Sequence, residues 1–244
     1  MAAALLGWLA PGPGLRWLDL GCGTGTLSES VQQATGPGSV TGVDRSPEFV
    51  AFARRRLPGP GAQFGVADAT ALPFRDGSFD VVASGLVLNF LPDPARTLAE
   101  AARVTVPGGT VAAYVWDYAG RMQLIRQFWD AAAELDPAAQ QGDQGERFPL
   151  CRPEPLAALF RIALAGVQVR ELEIPTRFAS FDDYWEPFLG AQGPAPAYAM
   201  SLPERDRERL RERLRARLPA APDGTIALVA RAWAARGTVL RAAE

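Results

Sequence analysis

Between residue 15 and about residue 117, short apolar runs alternate with stretches of helical period. Leu15 to Leu20 (LRWLDL) is an apolar run that stops at glycines, and a helix pattern follows from Thr26 to about Thr35. Ser39 to Val43 reads as a second strand, and Pro47 to Leu57 as a helix with Ser46 as its N-cap. Gln63 to Ala67 is a weaker strand pattern. Phe79 to Ser84 is strong, Pro94 to Val104 is helical, and Thr110 to Trp116 is strong again. Strands that alternate with helices at this spacing predict a parallel, doubly wound α/β sheet. A ligand of such a sheet sits beyond the carboxyl ends of the strands, where the strand order reverses.

The pattern changes after Asp117. Residues 121 to 160 look helical, with a Gln/Gly/Asp-rich break at 140 to 145. Val167 to Ile174 and Ile226 to Trp233 read as strands. Between them lies an insertion, roughly 178 to 222, rich in aromatics and prolines and then in arginines. The apolar opening, Met1 to Ala10, has no basic residue ahead of it and is read as a short core-packing helix, so the protein is expected to be cytoplasmic. No run approaches the roughly 20 apolar residues needed to cross a bilayer.

Composition narrows the chemistry. The 244 residues are 48% hydrophobic with a formal charge of −2, so a sizeable core is available. There is no histidine, and all 25 basic residues are arginine. A Ser-His-Asp triad, a histidine-ligated metal, a lysine Schiff base and a P-loop lysine are therefore excluded. Cys22 and Cys151 are too few and too far apart for a zinc site or a disulfide framework, and no metal is expected.

The sharpest motif is Asp19-Leu20-Gly21-Cys22-Gly23-Thr24-Gly25, which closes the first strand and opens the first helix of the alternating region. Glycines there let a backbone approach a ligand closely, and the helix N-terminus offers free N–H groups. The spacing differs from the G-x-G-x-x-G of dinucleotide sites. Asp19, two residues ahead of Gly21, would repel a pyrophosphate and attract an amino group. Asp44, with Arg45 beside it, ends the second strand where an acid accepts from ribose hydroxyls. Asp68 follows the third strand, where a carboxylate accepts from the exocyclic amine of a purine. The three acids together describe an adenosine with a positively charged tail and no phosphate.

With these residues in order, the chain resembles class I S-adenosylmethionine-dependent methyltransferases of the small-molecule type, the group that includes ubiquinone and menaquinone biosynthesis C-methyltransferases. The likeness spans residues 15 to about 117: LDLGCGTG, GVD, ADA, LPFRDGSFDVV and RVTVPGG recur in the family's order. It implies a Rossmann-like, mostly parallel seven-stranded sheet with an antiparallel edge strand. Residues 1–244 would then be a single domain, with 1–117 the donor-binding half and 178–222 a helical cap over the acceptor side. By the same resemblance the cofactor is S-adenosyl-L-methionine. Asp19, Gly21, Cys22, Gly23 and Gly25 would lie at its methionine end, Cys22 as a small space-filling residue. Asp44 and Arg45 would lie at the ribose, Asp68 with Ala69 at adenine, and Ser84 with Gly85 at the methionine side. Many relatives carry a histidine just after the fourth strand, where this chain has Leu88-Asn89-Phe90, so no histidine base is available.

The remaining candidates concern the acceptor. Asn89, Phe90, Asp117, Tyr118, Trp129, Tyr184 and Trp185 are expected to line an apolar pocket, with Asp117 either a base or a loop cap. Ser201-Leu202-Pro203-Glu204 has capping-box spacing and opens a helix to about Leu218 with seven arginines. Glu204, Asp206, Glu208 and Glu212 each have an arginine three residues on, the pairing of an exposed helix. This predicts a solvated face, not a nucleic-acid stripe, over a buried edge of Leu210, Leu214 and Leu218. The expected activity is methyl transfer to a small, apolar or aromatic molecule by in-line displacement, by a monomer or homodimer, with neither nucleic acid nor membrane as partner. A non-catalytic S-adenosylmethionine-binding partner subunit is the alternative from another class.

Overall fold

The computed structural model of the chain describes residues 1–190 and 193–240. A short helix α1 (Ala2–Leu9) buries Leu5 and Leu6 and precedes the alternating region. There follow β1 (Arg16–Leu20), α2 (Thr26–Thr35), β2 (Ser39–Asp44), α3 (Pro47–Arg56), β3 (Ala62–Val66), β4 (Phe79–Gly85), α4 (Pro94–Val104) and β5 (Thr105–Trp116). The remainder is α5 (Gln123–Leu135), α6 (Gln144–Arg147), α7 (Pro153–Arg161), β6 (Ala165–Phe178), α8 (Phe181–Trp185), α9 (Pro194–Ser201), α10 (Glu204–Arg217) and β7 (Ile226–Thr238), with short 3₁₀ turns between some of them.

The strands form one seven-stranded sheet in the order β3-β2-β1-β4-β5-β7-β6. β1 pairs in parallel with both β2 and β4, and β2–β3 and β4–β5 are parallel too. The order therefore reverses between β1 and β4, which makes their carboxyl ends the switch point. Next to β5, the reciprocal bonds of Gly108 and Gly109 with Val239 and the antiparallel Met122–Ala230 bridge bring the last strand in with opposite sense.

Local chemistry sets the helix starts. Ser46 accepts from the Phe49 N–H at 3.2 Å with Pro47 behind it, and Asp93 accepts from the Arg96 N–H at 2.9 Å ahead of Pro94. Three expectations need correction. Ser201 does not cap α10: it is the last residue of α9, its hydroxyl donates to the Tyr198 carbonyl, and Pro203 holds the cap position without a side-chain bond. The strand expected to begin at Thr110 begins at Thr105, so the Pro-Gly-Gly of residues 107–109 lies inside β5, beside a register shift against β4. The strand expected to stop at Ile174 continues through Pro175, because β6 is an edge strand where a missing N–H is tolerated.

By contacts the chain divides into two units. The first comprises Met1–Val115, Pro153–Leu172 and the chain from Trp233 on; the second comprises Trp116–Arg152 and Glu173–Ala232. In the first, Trp17, Leu18, Val82, Leu98, Val111 and Phe160 are enclosed. The second has an aromatic core in which Phe128, Trp129, Tyr184 and Phe188 pack with Leu210 and Leu214. The segment expected to be a cap thus shares one core with α5.

Candidate functional site

In the first unit, the carboxyl ends of β1, β2 and β3 open into a cleft of about 810 Å³. Gly21, Asp44, Arg45, Asp68 and Ala69 line it, together with Phe49, Val66, Leu86, Val87 and Phe90. The loop after β1 is tied to β2 by the N–H groups of Gly21 and Cys22, which both donate to the Val43 carbonyl at 2.8 and 2.9 Å. Gly21 has φ +74°, and a Cβ there would stand 2.6 Å from a methyl of Val87. Only glycine meets both demands.

Asp44 organises the floor. Its Oδ2 accepts from the Gly23 N–H and its Oδ1 from the Ser46 N–H, each at 2.9 Å. Each carboxylate oxygen can take more than one bond, so lone pairs remain for a ligand. Asp68 is exposed, and its Oδ1 accepts from the Thr70 N–H and hydroxyl at 2.8 Å. Those bonds hold its carboxyl below the usual range, with a smaller contribution from Arg96 and Arg45.

Asp19 is buried. Its Oδ2 accepts from the Ser28 N–H at 3.0 Å and the Ser28 hydroxyl at 2.7 Å, which caps the first turn of α2 from outside the helix. Burial pushes its carboxyl up to about 6 against the lowering effect of those bonds. Cys22 is buried, and desolvation raises its thiol well above the usual value, which matches a space-filling side chain. Ser84 turns away from the cleft: its hydroxyl donates to the Leu20 carbonyl at 2.8 Å and joins β4 to β1. Asn89 is partly buried, and its Nδ2 is enclosed without a partner.

The other five acceptor candidates lie in the second unit, each enclosed by neighbours there. Asp117 accepts from Arg231 through Nε at 2.8 Å and Nη2 at 2.7 Å and from the Arg121 N–H at 2.6 Å. It is an ion-paired corner and not a free base. Tyr118 is buried against Phe148. Trp129 donates to Gln144 at 2.5 Å and Tyr184 donates to the Leu124 carbonyl at 3.0 Å, both inside the aromatic core. Trp185 stacks on Phe181 at its edge. These rings pack in the second unit, and among the described residues those that line the cleft belong to the first. Conversely, Phe49, Val66, Leu86 and Val87 were not legible as site residues. Phe49 and Val66 are about half exposed, unusual for such side chains on a helix and a strand end. Leu86, at φ +64°, is held by its N–H to the Tyr114 carbonyl at 2.8 Å, a left-handed leucine that aims Val87 at Gly21.

Residues 18–113 match the family described as "Methyltransferase domain". That stretch resembles a methyltransferase domain. A 2-methyl-6-phytyl-1,4-hydroquinone methyltransferase of Synechocystis is 35% identical over 185 residues, 74% of this chain and 57% of that protein. A demethylmenaquinone methyltransferase of Renibacterium salmoninarum is 43% identical over 40% of this chain and 39% of its own. The chain spans 29% to 57% of the lengths of the first curated relatives it matches. Among solved structures, the YcgJ protein of Bacillus subtilis aligns over 99% of both chains with a TM-score of 0.64 at 18% identity. Phosphoethanolamine N-methyltransferase 2 of Haemonchus contortus, in complex with S-adenosyl-L-methionine, aligns over 98% of this chain and 52% of its own with a TM-score of 0.60 at 17% identity. These two likenesses establish the fold.

S-adenosylmethionine is the donor of the matched family, and the residues of the matched region fit it. The cleft holds two carboxylates with free lone pairs, an apolar wall and a glycine that a side chain would block. Among the described residues no group of three or more Cys, Asp or Glu is placed to hold a metal ion, and no helix is long and apolar enough to cross a membrane.

Proposed function

We propose that the chain transfers a methyl group from S-adenosylmethionine to a small apolar or aromatic molecule. The observation that carries this reading is the cleft over β1, β2 and β3, with Asp44 and Asp68 held by backbone N–H groups and Gly21 pressed against Val87. Asp44 would accept from the ribose hydroxyls and Asp68 from the purine amine. Phe49, Val66 and Ala69 would shield the base from water, and Asp19 would draw the ammonium of the methionine end.

When bound, the donor supplies a methyl on a positively charged sulfur, already activated for displacement. The protein's work is then alignment and exclusion of water, which together can contribute roughly 7–11 kcal/mol. A chain without histidine or lysine is equipped for that. The acceptor side is proposed on Asn89 and Phe90, where Phe90 is more than half exposed on the cleft and the Asn89 amide has an N–H without a partner. The relatives that act on a hydroquinone and on demethylmenaquinone support an aromatic acceptor. The ion pairs along α10, such as Arg211 with Glu208 and Asp182, support a solvated face there and not a nucleic-acid surface.

Calorimetry with S-adenosylmethionine and S-adenosylhomocysteine tests the donor half, with dissociation constants expected near the micromolar range, about −8 kcal/mol. No heat and no thermal shift at millimolar ligand would overturn it. Transfer of a labelled methyl to a panel of hydroquinones and phenols tests the acceptor half. Donor binding with no turnover on any acceptor would favour a binding subunit without catalysis.

A further inference from the structure

One buried polar group at the switch point has no role in the site described so far. Tyr114 lies near the end of β5, in register with Gly85 at the end of β4. Its phenol crosses over that glycine: a Cβ on Gly85 would meet the Tyr114 hydroxyl at 2.6 Å and the ring carbon beside it at 2.8 Å. The absence of a side chain at residue 85 makes room for this hydroxyl. Tyr114 is only 5% exposed. Its hydroxyl nevertheless has no hydrogen-bond partner among the described residues, whereas that of Tyr184, also buried, donates to a carbonyl.

A phenol so placed leaves a costly unmade bond unless something completes it. Neither its hydroxyl nor Oδ1 of Asp19, which also has no protein partner, is among the fully enclosed orphan atoms, which belong to Trp17, Asn89, Thr176 and Arg217. Both atoms therefore reach open space. They also flank one strand end: Asp19 pairs with Ala83 and Tyr114 with Gly85, on either side of β4, and the charge on Asp19 adds to burial in raising the phenol's pKa. A carboxylate that only accepts and a phenol that stays protonated and donates form a complementary pair. That pair suits a zwitterionic amino acid, the ammonium toward Asp19 and the carboxylate toward the phenol O–H.

We propose that Tyr114 binds the amino-acid end of the donor, its hydroxyl donating to the donor's carboxylate while Asp19 accepts from the ammonium. The assignment rests on the donor reading above and adds a residue outside the glycine-rich loop and the strand-end acids. It also explains the glycine at residue 85: a side chain there would displace the phenol.

The test compares two ligands on the full chain. S-adenosylhomocysteine carries the amino-acid end, whereas 5′-methylthioadenosine shares the nucleoside and sulfur but lacks it. In Tyr114→Phe the ring remains over Gly85 and only the hydroxyl is lost. Affinity for S-adenosylhomocysteine is expected to fall at least ten-fold, about 1.4 kcal/mol, with affinity for 5′-methylthioadenosine unchanged and the melting temperature of the free protein retained. Gly85→Ala, which pushes the phenol aside, should show the same split between ligands. S-adenosylhomocysteine affinity within two-fold of the wild type in Tyr114→Phe would overturn the assignment alone, as would an equal loss for both ligands. A wild-type chain that binds neither ligand would overturn the donor reading and this assignment with it.

Discussion

At the cleft, Asp44 and Asp68 are held by backbone N–H groups and a threonine hydroxyl; in the second unit, Asp117 and Asp143 are held by guanidinium groups. The first arrangement fixes a carboxylate without cancelling its charge. The second pairs the charge with a guanidinium, which at Asp117 reaches one oxygen through two nitrogens. Acids of identical chemistry thus keep lone pairs open in one region and become struts in the other, according to what donates to them. Asp117 was an even choice between base and cap on sequence alone, and the Arg231 fork decides it.

Four substitutions sharpen or break that contrast. The largest effect is expected for Arg231→Met, which strands the buried Asp117 carboxylate. Chemical denaturation should show a loss of about 3–5 kcal/mol, with donor affinity retained within about two-fold; a stability change below about 1 kcal/mol would mean that the pair is not a strut. Next comes Asp19, the buried acid of β1. Burial raises Asp19 in the folded chain from 3.8 to about 6, so its ionisation opposes folding. That penalty is absent below the unfolded value and complete above about pH 6. Wild-type stability relative to Asp19→Asn should therefore fall by about 3 kcal/mol as pH rises from 3.5 to 7. Donor affinity of the wild type should rise through the same window, because the ammonium needs the ionised form. A flat difference between the two proteins across that range would contradict the burial argument.

For Asp44→Ala the main loss is in binding, by ten-fold or more, since each charge-assisted bond contributes roughly 1.5–3 kcal/mol. Because Gly23 and Ser46 also lose an acceptor, a drop of about 1 kcal/mol in stability is expected too. Calorimetry and melting of the free protein separate the two effects, and unaltered donor affinity would remove the ribose assignment. The smallest change belongs to Arg209→Ala. Its pair with Asp206 is exposed on α10, and stability should stay within about 0.5 kcal/mol. A larger loss by the same denaturation measurement would show that this helix face is more than solvated.

The proposed donor side is marked in the sequence because its backbone demands rare residues. Glycines at the end of β1 and acids at the ends of β2 and β3 are dictated by close approach and by open N–H groups, and both leave marks in sequence. Gly85 left such a mark, but its cause, a phenol two strands from Asp19, is a cross-strand contact that no local pattern encodes. The second unit was hard to read for the opposite reason. Trp129, Tyr184 and Trp185 look alike whether they line a pocket or fill a core, and only the three-dimensional closure of α5 with α8–α10 distinguishes the two. Trp185 is 5% exposed, so its truncation would remove core packing before it could report on an acceptor. The strand lengths erred where the weak signals were: the Ala-Ala-Arg-Gly end of β7 has little strand preference, and Pro175 ordinarily marks a stop.

Pro175 has a further effect at the sheet margin. β6 is fourteen residues long and flanked on one side only, which is the profile of a template for unwanted strand addition between molecules. Its proline offers no N–H to an incoming chain, and Arg170, Glu171, Glu173 and Arg177 place charges of both signs along the same margin. An approaching strand would have to bury those charges and accept a gap in its ladder. The residue that interrupts the reading of β6 as a strand is thus the one that guards the sheet against self-association into fibres.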